Sequence, residues 1–366
     1  MNDAPLIGTL LHTVGAASAA LCYSPQKFLH KWSWQTYWMV QAMVCWLLLP
    51  WIGAYFSVPD GQLFAVLAEA PKDAMLHSFL YGMLYGVGGI AFGLSIRYIG
   101  FSLTYAIAIG FSCLIGTLFM PLIKGQLGAT LSQDGGMLVI GGVVLGFVAM
   151  ILTGVAGFRK ENELAADGTK TTFNAHIGLP ICVLAGVLSA VFNFALESAN
   201  PVAELAAQFG AGQNQENVKY ITAMNGSFVT TVVYVLILAN KNRSWGEFGK
   251  VPDAAKGKLL RNYGLAAATG LMWYTQFFFY GRGHVLMGDF KFSSWAIHMI
   301  ILILLSSGFG VLIGEWKGAR AKTLAGMGAA LALLFGAVGL ITYGNYLGSQ
   351  ATDTAPVPVE EGTPGH

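Results

Sequence analysis

Charge is what this 366-residue chain has least of: Asp, Glu, Lys and Arg together make up 10% of it. Only one acid, Glu197, falls inside a long apolar run, so a paired-carboxylate centre within such a run is excluded. Cysteine is scarce too. Cys22, Cys45, Cys113 and Cys182 all sit in apolar stretches, with no CxxC spacing and no nearby His, which implies neither a disulfide framework nor a metal site and leaves them as small packing residues. No GxxxxGK[ST] loop occurs, which excludes nucleotide hydrolysis by that route. The opening MNDAPLIG carries no Lys or Arg, so the basic start of a cleaved signal peptide is missing and the first apolar run is expected to be retained as a span. A net charge of +2 gives no footprint for nucleic acid, and none is expected as a partner.

What the chain does have is apolar length. Hydrophobic residues make up 55%, mean hydropathy is +0.60, and the apolar runs repeatedly approach the roughly 20 residues that cross a bilayer core. The expected fold is an all-α membrane protein with ten transmembrane helices, near residues 6–23, 34–56, 74–96, 101–123, 136–157, 177–198, 218–240, 262–281, 293–314 and 323–347. If the loops between them alternate sides, fifteen of the twenty Lys and Arg fall on one side and five on the other, which places both termini outside the cytoplasm. The six cations of residues 241–261 read as a topology determinant at the cytoplasmic lipid surface, with an interfacial helix around Trp245. The tail, residues 349–366, is rich in Pro, Thr and Glu and is expected to be disordered.

Five helices (residues 1–158) precede a charged cytoplasmic linker (159–176) and five (177–348) follow it. An odd number per half makes any duplication an inverted repeat. Gly82, Gly93 and Gly100 match Gly270, Gly281 and Gly288 at one offset, and Gly15, Ser18 and Ala19 match Gly186, Ser189 and Ala190 at another. Inverted repeats point to alternating access around a site near the repeat interface.

The strongest candidate for that site is the stretch GLMWYTQFFFYGRGHVLMG, residues 270–288. At about 100° per residue Trp273, Gln276, Phe277 and Tyr280 share one face. An amide in hydrocarbon must find a partner, and an amide among aromatic rings suits a ligand with both hydroxyls and C–H faces. Any one of these aromatics alone reads equally as a packing residue; Gln276 turns the face into a site. Tyr81 and Tyr85 on the third helix, and Ser189 and Asn193 on the sixth, form further polar stripes expected to face the bundle interior. His12, Glu197 and His298 are the candidates for carrying a coupled proton, with His12 first because it lies inside a span where the other half of the chain has Val183, and His12 is also a candidate to bind a hydroxyl of the ligand. Each has a plain structural alternative: a histidine bonded to a neighbouring helix, or an interfacial carboxylate.

The blocks HTVGAASAALCYSP (12–25), KWSWQT (31–36), RYIG (97–100), GTLFMPLI (116–123), GLMWYTQFFFYGRGH (270–284) and GEWKGA (314–319) resemble the L-rhamnose–proton symporters, a branch of the drug/metabolite transporter superfamily. The likeness runs from about Leu10 to Gly318, with Gln35 standing where relatives are expected to have Glu and residues 192–201 matching loosely. It implies two inverted five-helix repeats and import of a 6-deoxyhexose with protons across a bacterial inner membrane, without a bound cofactor. The partners expected are a small sugar and membrane lipid, and the chain is expected as a monomer or weak homodimer. Two transporter alternatives stay open on the residues: sodium as the coupling ion, held by backbone carbonyls of a broken helix, and export of a metabolite. An intramembrane enzyme acting on lipid-linked sugars is the alternative of another class, and Asp289 near Arg282 and His284 is its nearest acid.

Overall fold

In a bilayer every backbone N–H and C=O needs an internal partner, which leaves the helix as the ordinary solution for a chain of apolar runs. The structure, a computed structural model, describes residues 3–166, 173–250 and 256–354, and among the described residues every regular element is helical. The long helices are α1 (Ala4–Leu21), α2 (Trp34–Ser57), α3 (Lys72–Ile99), α4 (Phe101–Ile123), α5 (Gly136–Ala166), α6 (Ala175–Ser198), α7 (Glu216–Asn242), α8 (Lys256–Val285), α9 (Ser293–Leu312) and α10 (Ala321–Thr354). Shorter helices at Leu63–Glu69, Leu127–Ser132 and Asn200–Gln208 lie in the connections.

Nine helices among the described residues are long and apolar enough to cross a membrane, and the chain is a multi-pass membrane protein. The tenth expected span, 262–281, lies within α8, which has the length, at 30 residues, but is not among the nine. The reason is visible along one of its faces. Asn262, Thr269 and Gln276 recur every seventh residue, His284 follows, and all four are buried. Asn262 exchanges hydrogen bonds with the backbone of His30, Thr269 pairs with the Tyr37 hydroxyl at 2.9 Å, and Gln276 meets His298. A stripe of hydrogen-bonding groups lowers the helix's mean hydropathy while pointing into the bundle.

α3 packs against α6 and α7, and α8 packs against α1 and α2; α1 also contacts α9, as α6 contacts α4, while α5 and α10 pair with each other. Close packing depends on small residues: a Cβ on Gly82 would stand 2.0 Å from the carbonyl oxygen of Ala223. Helices α2 and α4 each contain a π-helical turn, at Met43–Leu48 and Tyr105–Ile109, a local widening frequent beside functional sites.

The ends differ from expectation in three places. α5 runs on to Ala166, so the expected linker begins as helix, and residues 167–172 lie outside the described residues. α10 continues to Thr354, so the tail expected to be disordered from 349 begins helical; 355–366 lie outside the described residues. Around Trp245 the chain forms a single 3-10 turn, Trp245–Phe248, rather than a full helix, and 251–255 are likewise outside the described residues.

Candidate functional site

Six helices converge on a central cavity. Trp273, Gln276 and Phe277 enter from α8, Tyr85 and Phe92 from α3, and Ser189 and Phe192 from α6. The C-terminal end of α1 brings Cys22 and Tyr23, α4 brings Tyr105 and Ser112, and α9 brings Trp295 and Met299. The rings support one another: Tyr85 and Phe192 are 4.4 Å apart between centroids, Phe192 and Phe277 5.0 Å, and Trp273 lies 5.0 Å from Phe277 and 5.4 Å from Trp46. A few polar groups stand among these walls, above all the Gln276 amide and the hydroxyls of Ser189 and Ser112. Apolar rings with sparse, fixed polar groups are the makeup of a small-molecule site.

Four of the expected binding residues, Trp273, Gln276, Ser189 and Tyr85, thus meet around one space. Tyr280 stands one turn of α8 beyond Gln276 and joins a second layer, packed edge-on against His12 at 5.1 Å, His298 at 5.4 Å and Trp295 at 5.8 Å. His12 and His298 are fully buried there. Their rings are 5.9 Å apart, and His298 Nε2 lies 3.5 Å from Gln276 Oε1. The structure does not bring the remaining candidates to the cavity. Asn193 donates at 2.8 Å to the Gly116 carbonyl, tying α6 to α4. Tyr81 is 36% exposed, on the outward face of α3. Glu197 accepts from Asn200 at 3.0 Å, and Asn200 in turn accepts from Lys219 at 2.8 Å.

That last chain of contacts ends in an ion pair the spacing of spans hid. Glu216 and Lys219, three apart in the first turn of α7, are both buried and in contact. The sequence reading left Glu216 outside its span and counted Lys219 with the loop cations; the signal was the i,i+3 pairing of opposite charges at a helix start. Tyr23, Phe92, Tyr105 and Trp295 were also outside the list of binding residues. Tyr23 closes the CYSP break after α1 and could have been found there; Tyr105 sits in an unbroken apolar run that carries no such mark.

Toward the end of the molecule that holds Lys27 and Arg97, a second and larger cavity, a vestibule, lies between Trp34, Trp38, Gln26, Gln35, Tyr234 and Asn242. It shares Tyr23 and Phe92 with the central one. Tyr23 is stacked on Trp38 at 5.8 Å and Trp38 on Trp34 at 4.8 Å, so aromatic rings stand where the two spaces adjoin. On the side of Gln276 away from Tyr23, Trp295 of the cavity wall continues into the ring layer of Tyr280, His12 and His298. Below the vestibule the helix ends are tied by ion pairs and caps. Lys160, fully buried, lies 2.9 Å from Glu161 and 3.1 Å from Glu315 and under the Trp316 ring, and Glu315 accepts from the Ser102 hydroxyl at 2.7 Å. Burial pushes the Glu315 carboxyl up, but Lys160 and the Ser102 donors outweigh it and hold the group below the usual carboxylate range. Glu247 accepts from the Ser33 N–H and from the hydroxyls of Ser33 and Thr36, capping α2 from outside.

Comparison with known proteins matches residues 1–348 to the family of the L-rhamnose-proton symport protein. An L-rhamnose-proton symporter of Mannheimia succiniciproducens is 35% identical over 325 residues, covering 88% of this chain and 93% of the relative. Proteins of the same name from Yersinia pestis and Yersinia pseudotuberculosis are each 36% identical over 331 residues, covering 89% of this chain and 94% of theirs.

Proposed function

Because the chain belongs to the family of L-rhamnose-proton symport proteins, we propose that it imports L-rhamnose or a similar 6-deoxyhexose together with protons, by alternating access, through the central aromatic cavity. The observation that carries this reading is the form of that cavity: a ring-walled space holding a few polar groups, which shares Tyr23 and Phe92 with a wide vestibule at the basic end. In it the faces of Trp273 and Tyr85 take the C–H faces of the sugar, Gln276 and Ser189 its hydroxyls, and the Phe192 and Phe277 wall its methyl group. This arrangement is an inward-facing one if the basic end is cytoplasmic, which the distribution of Lys and Arg favours; both termini are then outside, in a bacterial inner membrane.

Alternating access is commonly built on two halves related by inversion, and the packing supports that reading here. The contacts of α3 with α6 and α7 are repeated by those of α8 with α1 and α2. Gly82 approaches Ala223 of α7 where its counterpart Gly270 approaches Gln41 of α2, and Gly93 faces Trp34 of α2 where Gly281 faces Tyr220 of α7. Gly100 and Gly288, the third matched pair, both adopt positive φ, at +82° and +54°, which glycine does at no steric cost. On this reading α8 is the tenth span and the counterpart of α3. The proton is carried by the His12 and His298 layer, with Glu197 at the outer entrance.

The test is calorimetric binding of L-rhamnose, other 6-deoxyhexoses and ordinary hexoses to the purified protein, followed by accumulation in liposomes under an imposed pH gradient without sodium. Selective binding of 6-deoxyhexoses and accumulation driven by acid outside are expected. Equal affinity for ordinary hexoses, or accumulation that requires sodium, would overturn the assignment of sugar or ion.

A further inference from the structure

We propose that Gln276 is the link that makes sugar binding and protonation of the His12–His298 layer depend on each other, its amide being shared between the central cavity and the His298 imidazole. The inference rests on the transporter reading above and names how that site would be coupled. Gln276 both lines the cavity and meets an imidazole of the layer above it, His298 Nε2 lying 3.5 Å from its Oε1. α1 passes this point closely, so that a Cβ on Gly15 would lie 2.7 Å from the Gln276 carbonyl oxygen and 3.3 Å from His298 Cε1; the amide and the ring are held in register by the backbone itself. Beside them, neither ring nitrogen of fully buried His12 has a hydrogen-bond partner among the described residues. Buried polar atoms are ordinarily paired. An imidazole left without partners next to a second imidazole is a place where a proton and its hydrogen bonds can be taken up.

The direction of coupling proposed here is that of the neutral tautomer whose Nε2 is bare. A neutral imidazole carries one N–H and one bare nitrogen, and in the tautomer with bare Nε2 it faces the Gln276 oxygen as acceptor against acceptor. The amide then turns its NH₂ toward the ring and away from the cavity. A protonated His298 has only donors, so Nε2–H engages Oε1 and the NH₂ group is aimed at the sugar. A sugar hydroxyl that accepts from that NH₂ polarises the amide and makes Oε1 a better acceptor for the imidazolium, since hydrogen bonds in a chain strengthen one another. Proton and sugar therefore favour the same amide orientation, and by linkage each raises the affinity of the other by the same factor, roughly 5- to 150-fold for couplings of ordinary size. The other ionisable groups facing the layer are Tyr280 and His284 of α8, with Glu216 and Lys219 of α7, Glu197 of α6 and Lys291 behind them. From α4 the Ser112 carbonyl accepts from Trp295 of the layer.

The experiment is L-rhamnose calorimetry on detergent-purified full-length protein at a series of pH values, in buffers of different ionisation enthalpy, so that affinity and proton uptake are read together. Wild type is expected to bind more tightly as pH falls and to take up a proton on binding. Gln276→Met, which keeps the side chain's length and removes the amide, is expected to bind more weakly but with an affinity independent of pH and no proton uptake. His298→Gln, which cannot titrate, is expected to lose the pH dependence while keeping sugar affinity within a few-fold of the low-pH wild type. Gln276→Met that still takes up the wild-type number of protons overturns the link and leaves the transporter reading intact. Should Gln276→Met fail to fold, the His298→Gln variant decides alone: retention of the full pH dependence overturns the link. A wild type that binds L-rhamnose with no proton uptake at any pH instead refutes proton coupling, and one that binds no sugar refutes the transporter assignment.

Discussion

Replacing Gly82 by Ala should push α3 and α7 apart. The added Cβ would stand 2.0 Å from the Ala223 carbonyl oxygen, whereas carbon and carbonyl oxygen settle at about 3.3 Å in close helix contacts, so the helices must separate by roughly 1.3 Å at this point. Neither partner can yield by a rotamer change, because both are backbone. The displacement reaches three side-chain hydrogen bonds that cross this interface: Ser227 to the Gly82 carbonyl at 2.9 Å, Thr230 to the Met83 carbonyl at 2.9 Å, and Thr222 with Ser78 at 3.0 Å. Lengthened by that amount they are no longer hydrogen bonds. At about 0.6 kcal/mol each in a membrane protein their loss is worth about 2 kcal/mol, and overpacking strain adds about 1 to 3 kcal/mol. The variant should therefore be destabilised by about 3 to 5 kcal/mol. Its unfolding can be followed in detergent by the reaction of a thiol-sensitive dye with Cys22, Cys45, Cys113 and Cys182, all buried in the folded protein. Gly264→Ala is the control: it lies in α8 with no atom within 4 Å of the added Cβ, and should leave the transition unchanged or slightly raised. A Gly82→Ala protein that melts with wild type would refute the close approach of α3 and α7.

Trp273→Ala should weaken L-rhamnose binding about tenfold or more by removing one ring face of the cavity; unchanged calorimetric affinity would make that ring scaffold. Gln276→Ala should cost about 1 to 3 kcal/mol of binding free energy, with an unchanged oligomeric and folded state by gel filtration. Glu315→Gln should destabilise the protein by about 2 kcal/mol near neutral pH, since it removes the anion from Lys160 and Ser102. Because the folded-state pKa of Glu315 lies below the unfolded value of about 4.3, that contribution is complete above the unfolded value and fades as pH falls through the folded one. Thermal melts of wild type and variant should converge only in that acid range, and a gap that persists there would exclude the carboxylate as the source. A reporter fused after His366 should be active only in its extracytoplasmic form, and cytoplasmic activity would reverse the proposed topology.

Much of this protein was decided by its sequence alone. Apolar runs of bilayer length, with so few charges between them, leave a bundle of helices as the one way to satisfy the backbone, and the 3.6-residue period places Trp273 and Gln276 on the same face of α8 whatever that face meets. The family likeness was equally legible, because its motifs are local strings such as residues 12–25 and 270–284. What periodicity could not supply is the neighbour. It marks Asn193 and Tyr85 alike as inward, yet Asn193 is spent on the Gly116 carbonyl while Tyr85 faces the cavity. It left Tyr81 a candidate that packing turns outward. The π-helical turn that brings Tyr105 to the cavity leaves no compositional trace in an apolar run, and the meeting of Lys160 with Glu315, 155 positions apart, depends on how four helix ends assemble. Helical period determines a direction from each axis; only tertiary packing determines what stands in that direction. For that reason Gln276 was recognisable from the sequence as an amide needing a partner, and only the structure shows that the partner is His298.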